Sequence, residues 1–326
     1  MSRSPMAHRA VVALAASLAL TACSSAEESV APTTSSAGAS TSTSSSAPAT
    51  VAPSTTSTTT TTTPIDRSVQ TLAAELSAVE AGIRLPDVSA AELDALGQRQ
   101  QLAYRAVNRH PEWHADLTAS VDPVAQVPLS FHLAARQAQV DHAAGKPPSE
   151  PVTVLPAWTI VDPLPAEELL GYYREAEATT GVPWQFLAAI HFQETRMGRI
   201  VGVSSAGAVG PMQFLPSTWA GCCAGDPTVA RDAIMGAAQY LVLRGAPGDM
   251  PAALNGYNPN AAYVGAVTAY AMNMQADERA YLGYHGWQVF FGTTEGTVRL
   301  PVGYSQTAEV DAAAYLRDHP EDLVAS

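Results

Sequence analysis

Cysteine is nearly absent. Three occur in 326 residues, and two of them, Cys222 and Cys223, are neighbours. That scarcity excludes a disulfide-stapled scaffold, and no second Cys or His cluster has the spacing of zinc ligands. Oxidised, the adjacent pair would form a strained ring; two free buried thiols are the alternative, and neither state implies a role. His110 and His114 stand four apart, as helical metal ligands do, but without a third ligand they read as surface histidines. No metal or cofactor is expected. Basic residues are also few: 17 Lys and Arg against 30 Asp and Glu leave a net charge of −13. Nucleic acid is therefore disfavoured as a partner, because phosphate binding calls for a basic patch. Neutral and zwitterionic substrates stay open, and protein partners are not identified. After the N-terminal region no run of eighteen apolar residues occurs, so no membrane-spanning helix is expected.

The N-terminus itself is informative. Arg3, His8 and Arg9 make a basic start, and Ala10 to Leu20 is an apolar stretch too short to cross a bilayer as a helix. Residues 1–22 therefore read as a secretory signal. Its end, Leu20-Thr21-Ala22-Cys23, resembles the lipobox of bacterial lipoproteins. The resemblance implies cleavage before Cys23 and lipidation of that cysteine. Lipid would then anchor an exported protein to the outer face of the cytoplasmic membrane, facing the cell wall. An ordinary signal peptide with a chance cysteine is the alternative. Residues 23–64 are Ser, Thr, Ala and Pro with almost no large apolar side chain, a composition that cannot offset its ordering entropy. They read as a disordered tether, able to reach roughly 130 Å when stretched.

Residues 65–150 read as alanine-rich helices. Leu72, Leu76 and Val79 recur at helical spacing before Leu85-Pro86, and Ser89-Ala-Ala-Glu92 has the capping-box pattern of a helix running toward Asn108. A third helix is predicted from about Pro123 to Ala143. A helical subdomain packing on a catalytic part is the plain account; a partner-binding module is the other. Lys146-Pro147-Pro148 marks a boundary.

Residues 151–275 carry the candidate chemistry. Pro165 to Thr179 is predicted helical, Gly181-Val182 breaks it, and Pro183 opens the next helix at its first position. On that helix Leu187, Ile190, His191 and Glu194 fall on one face. A Glu on an apolar face at a helix's last turn is unfavourable for stability and for the helix dipole. Three explanations compete: a carboxyl whose pKa is raised for acid catalysis, a buried salt bridge to Arg196 or Arg199, or a surface Glu at a fraying end. Further helices are predicted from Pro216 through Trp219, from Asp232 to Arg244, and from Pro259 to Met274. Asp226 and Asp232 read as loop and cap residues. In residues 276–326, the alternation of Trp287, Val289, Phe291 and then Val298, Leu300 about Glu295-Gly296 predicts a β-hairpin.

Three pieces in order, Glu194-Thr195-Arg196-Met197-Gly198-Arg199, Ser204 through Trp219, and Gly256-Tyr257-Asn258, resemble the lytic transglycosylases with a soluble-lytic-transglycosylase (SLT) domain. The likeness covers roughly residues 180–275. It implies a mainly α, lysozyme-like SLT domain, here with a preceding helical region and a small C-terminal β-hairpin. The wording Glu-Thr-Arg and Gln-Phe-x-Pro is nearest to the membrane-bound B type, but only nine residues separate Glu194 from Ser204, where that type has a long insertion. The compact SLT layout fits better.

The implied substrate is the peptidoglycan glycan strand, cleaved between N-acetylmuramic acid and N-acetylglucosamine with closure of a 1,6-anhydro ring. Glu194 is the implied acid and then base. The implied substrate contacts are Ser204, Gly207, Gly210, Met212, Gln213, Tyr257 and Asn258. Ser204 would orient the N-acetyl group, and Gln213 would offer a donor and an acceptor. The two glycines would admit the backbone to the glycan or merely shape a turn. Tyr257 would stack on a sugar while Asn258 holds its loop. Tyr263 reads as core, and His191 as a core histidine or a tuner of Glu194. A muramidase that delivers water from the same acid and a silent glycan-binding lipoprotein are the rival readings.

Overall fold

Local side chains set most helix starts. The computed structural model describes residues 66–147 and 150–324; Cys23, the leader and the tether region lie outside them. Ser68 caps α1 (Val69–Ile83) by accepting from the Thr71 N–H at 3.2 Å. Ser89 and Glu92 form the reciprocal capping box that starts α2 (Ala90–Arg109). A 3₁₀ turn at Pro111–Trp113 leads into α3 (His114–Ser120), and Pro123 begins α4 (Pro123–Ala143). The predicted surface pair is engaged locally: His110 meets Glu112 at 3.0 Å and His114 the Val107 carbonyl at 3.0 Å.

Two short strands, β1 (Val154–Leu155) and β2 (Thr159–Ile160), precede α5 (Ala166–Thr180) and α6 (Trp184–Thr195). Pro165 and Pro183 are N-cap residues rather than first helical residues, a shift of one position with the same physical cause. Gly181, at φ 78°, ends α5 in the left-handed conformation. After β3 (Ile200–Val201) come α7 (Pro216–Cys222), α8 (Ala230–Leu243), α9 (Met250–Tyr257), α10 (Ala261–Ala276) and α11 (Ala280–His285). The adjacent cysteines at the end of α7 form a disulfide. The chain closes with β4 (Val289–Thr293), β5 (Gly296–Leu300), β6 (Val310–Asp311), α12 (Ala312–Asp318) and β7 (Leu323–Val324). The molecule is mainly helical with small antiparallel sheets. The predicted hairpin pairs Val289 with Leu300 through Thr293 with Gly296, and β7 adds a third strand beside β5. No helix among the described residues is long and apolar enough to cross a membrane.

Two apolar cores result. The larger runs from Leu72 in α1 to Trp287, so the N-terminal helices and the central helices bury their faces against each other. Helix α4 lies so close on α10 that a Cβ on Gly265 would collide with that of Ala138. The smaller core joins Leu155, Ile160 and Ile200 to Val289, Val298, Leu300 and Tyr304. The groove of interest opens along the seam between the two.

Candidate active site

Helix α6 is buried almost all round: Phe186 through Phe192 are no more than 8% exposed. Its length is therefore held by packing, and its final turn delivers Glu194 to the seam. Neither arginine proposed as a partner reaches that carboxyl. Arg196 donates to the Phe192 carbonyl at 2.7 Å and lies over the Phe192 ring at 4.6 Å. Arg199 is paired with Asp94 at 3.3 Å and the His285 carbonyl at 3.1 Å. Glu194 instead lines a cleft of about 390 Å³. Burial pushes its carboxyl up from 4.5 to about 7. The Tyr263 hydroxyl lies beside it and opposes the shift, although no well-aligned hydrogen bond joins the two.

His191 is not the tuner. Its Nδ1 shares a 2.7 Å hydrogen bond with the Tyr173 hydroxyl, and burial pushes its pKa to about 3, so it is a neutral core side chain. Removal of water from the carboxyl, not a neighbouring charge, produces the shift at Glu194.

The backbone just beyond Glu194 is unusual. Arg196, Met197 and Gln213 are the non-glycine residues with positive φ among the described residues, at 55°, 60° and 49°; the first two closely follow Glu194, and Gln213 lines the cleft. Such conformations persist only where surroundings over-determine them. Thr195 supplies part of that constraint: its hydroxyl donates to the Pro211 carbonyl at 2.6 Å and accepts from the Gly198 N–H at 3.1 Å. Helix α6 is thus tied to the loop that carries the other candidate residues.

That loop is closed by the Val209–Phe214 bridge, with N–H to O distances of 2.9 and 3.0 Å. Ser204 lines the cleft; its oxygen accepts from the Ala208 N–H at 3.0 Å, which leaves its own O–H free to donate. Gln213 also lines the cleft. Its amide donates to the Gly210 carbonyl at 2.9 Å, leaving its oxygen free to accept. Gly207, Gly210 and Met212 are not among the residues that line it. Gly207, at φ 81°, serves a turn closed by its N–H to the Ser204 carbonyl at 2.8 Å. Gly210 faces away, where a Cβ would strike the Pro227 carbonyl. The Met212 side chain is fully buried, and only its carbonyl takes part, accepting from Tyr257.

Tyr257 and Asn258 line the cleft at the end of α9. The Tyr257 hydroxyl is committed to the Met212 carbonyl at 2.6 Å, so its ring, more than its O–H, is what a ligand would meet. Asn260, rather than Asn258, organises the following turn: its side chain caps α10 by accepting from Ala262 and Tyr263. That cap places Tyr263 against Glu194. The Tyr257 and Tyr263 rings stack in parallel 6.4 Å apart, and burial, reinforced by Glu194, holds both phenols well above their usual range.

Several lining residues escape sequence reasoning. Trp158 and Phe291, both half-buried and packed edge to face at 5.7 Å, form the wall on the β side, with the exposed Glu309 beside them. They come from distant segments, and no spacing in the sequence links them to Glu194. Tyr263, read as core, does lie in the larger core and not on the cleft wall, and the Asn260 cap three residues before it fixes its position. Asp226 and Asp232 lie outside the cleft; Asp226 accepts from Thr228, and Asp232 from the Asp226 N–H.

Comparison with known proteins adds one partial likeness. No protein-family model matches the chain, and no solved structure matches it. Over 76 residues the chain is 34% identical to membrane-bound lytic murein transglycosylase F of Thiobacillus denitrificans. The matched segment is 23% of this chain and 16% of that protein, so the similarity is distant and confined to a small part of each.

Proposed function

We propose that this chain is a peptidoglycan lytic transglycosylase that cleaves the β-1,4 bond between N-acetylmuramic acid and N-acetylglucosamine and leaves a 1,6-anhydro end. The observation that carries the reading is Glu194: a carboxyl with no cationic partner among the described residues, pushed up to about 7, lining an aromatic-walled cleft with Ser204 and Gln213. The partial likeness to a lytic murein transglycosylase supports the same class.

A single carboxyl near neutrality serves both halves of the reaction. Protonated Glu194 gives its proton to the bridging oxygen as the bond to C1 breaks. Ionised Glu194 then takes the proton from the muramic acid 6-hydroxyl as that oxygen attacks C1 and closes the ring. The free O–H of Ser204 is suited to orient the N-acetyl carbonyl, whose assistance at C1 replaces a second catalytic carboxylate. Gln213 and Asn258 offer amide groups to sugar hydroxyls, and Tyr257 offers a ring face. The proposal includes an exported, lipid-anchored protein, on the strength of Leu20 to Cys23; Cys23→Ser would then release it from the membrane fraction.

Mass spectrometry of digested sacculi tests the reaction. Fragments lighter by one water, ending in anhydro sugars, are expected; reducing ends would overturn it. One feature favours the hydrolytic alternative, namely Glu309, a second carboxylate on the cleft wall. Under hydrolysis Glu309→Gln would abolish lysis, whereas transglycosylation leaves it largely intact.

A further inference from the structure

A second cavity, of about 60 Å³, lies between α2, α4, the end of α6 and the β4–β5 hairpin. A water needs roughly 10–15 Å³ by this measure, so the space holds a group of about four or five heavy atoms. Three arginines line it, Arg105, Arg136 and Arg196, and among the described residues no carboxylate does. Arg105 donates to the Thr297 hydroxyl at 2.8 Å and lies 4.7 Å over the Phe290 ring, while its Nε is buried without a partner. Arg136 meets only the Gln139 side chain, at 3.4 Å. Arg196, 9% exposed, has the Phe192 carbonyl and ring described above. His132, 5% exposed, spends Nε2 on Asn108 and leaves Nδ1 unpartnered.

None of the three arginines forms an ion pair among the described residues, whereas seven others do. Of the four other arginines without one, Arg67, Arg244 and Arg317 are exposed, and Arg279 donates to the Ile83 and Leu85 carbonyls. Burial first, then Arg109 and Arg196, pushes Arg105 down to about 10, and burial lowers Arg136 and Arg196 as well. All three remain charged at neutral pH. Converging, partly desolvated guanidinium groups with spare donors are costly unless an anion joins them, and their fork geometry suits oxyanions.

We infer that this cavity binds a small oxyanion, a phosphate or a carboxylate, between Arg105, Arg136 and Arg196. The site stands back to back with the cleft: Phe290 and Gly292 of β4 face the arginines while Phe291 faces the cleft, and Arg196 follows Glu194 by two residues. The inference holds whatever reaction the cleft performs.

Calorimetric titration of the full chain with sodium phosphate and with sodium acetate, at ionic strength fixed with sodium chloride, tests it. Saturable binding of at least one anion, with a matching rise in Tm, is expected; which of the two binds identifies the ligand chemistry. Arg136→Gln, at a half-buried position, should weaken that binding roughly tenfold or more without lowering Tm in chloride buffer free of phosphate and carboxylates. Arg105→Gln should weaken it likewise, and the distant Arg317→Gln should not. No binding of either anion beyond chloride, or undiminished binding in both cavity variants, would overturn the inference.

Discussion

Two glutamates, one fully buried and one half-buried against the cleft, are treated in opposite ways in this molecule. Glu80, in the N-terminal helices, is 0% exposed and fully engaged. It accepts from Arg84 at 2.6 Å, Gln100 at 2.9 Å and Tyr104 at 2.6 Å. Among the described residues Glu194, in the cleft, has no arginine and only the nearby Tyr263 hydroxyl, and burial raises its pKa. A buried carboxylate given a cation and donors is a structural element. One denied them costs stability in its charged form, which makes sense where a proton must be held and released.

The largest break in this comparison is catalytic. Glu194→Gln should lower lysis of sacculi by about a thousandfold or more while leaving the circular dichroism spectrum unchanged. Glu80→Gln should leave lysis per folded molecule intact; a comparable loss there would erase the distinction between the two sites.

Stability should show the reverse order. Glu80→Ala leaves Arg84 with Asp277, at 2.6 Å, as its one carboxylate partner and the residue 80 carbonyl at 2.9 Å, and three donors lose their side-chain acceptor. A loss of about 2–4 kcal/mol is expected in urea unfolding at neutral pH.

The pH dependence sharpens the contrast with a smaller effect. Because the folded-state pKa of Glu194 is raised, the folded chain keeps a proton between about 4.5 and about 7 that the unfolded chain has lost. Stability therefore falls as pH rises through that window, and the penalty is complete above it. Glu194→Gln should remove it, gaining about 1–3 kcal/mol at pH 8 and nothing at pH 4. Wild-type kcat/KM should decline above pH 7 as the acid form is depleted.

Smallest is the contribution of the β-side wall. Trp158→Ala should raise KM severalfold with kcat nearly unchanged, since a stacked ring is worth about 1 kcal/mol. A collapse of kcat would place Trp158 in the chemistry instead of in substrate binding.

Much of the helical plan is legible from local chemistry. The Ser89–Glu92 box, the glycine after α5, the proline before α6 and the proline that opens α7 announce their boundaries within a residue or two. The short α9 and α11 are not among the predicted helices: each carries a glycine, Gly256 and Gly283, which weakens a helix, so both rest on tertiary packing. Of the candidate site, Glu194, Ser204, Gln213, Tyr257 and Asn258 converge on one cleft. Gly207, Gly210 and Met212 shape or support the loop from behind.

Local order along the chain determined where helices start, that Glu194 would sit on a buried face, and which amides would follow it. Those features rest on hydrogen bonds and periodicities spanning a few residues. Tertiary structure alone decided that neither Arg196 nor Arg199 would neutralise Glu194, that Tyr263 would stand at its side, and that Trp158, Phe291 and Glu309 would line the same cleft. Desolvation and charge pairing are sums over everything packed around a group, and here those neighbours arrive from segments far apart in sequence.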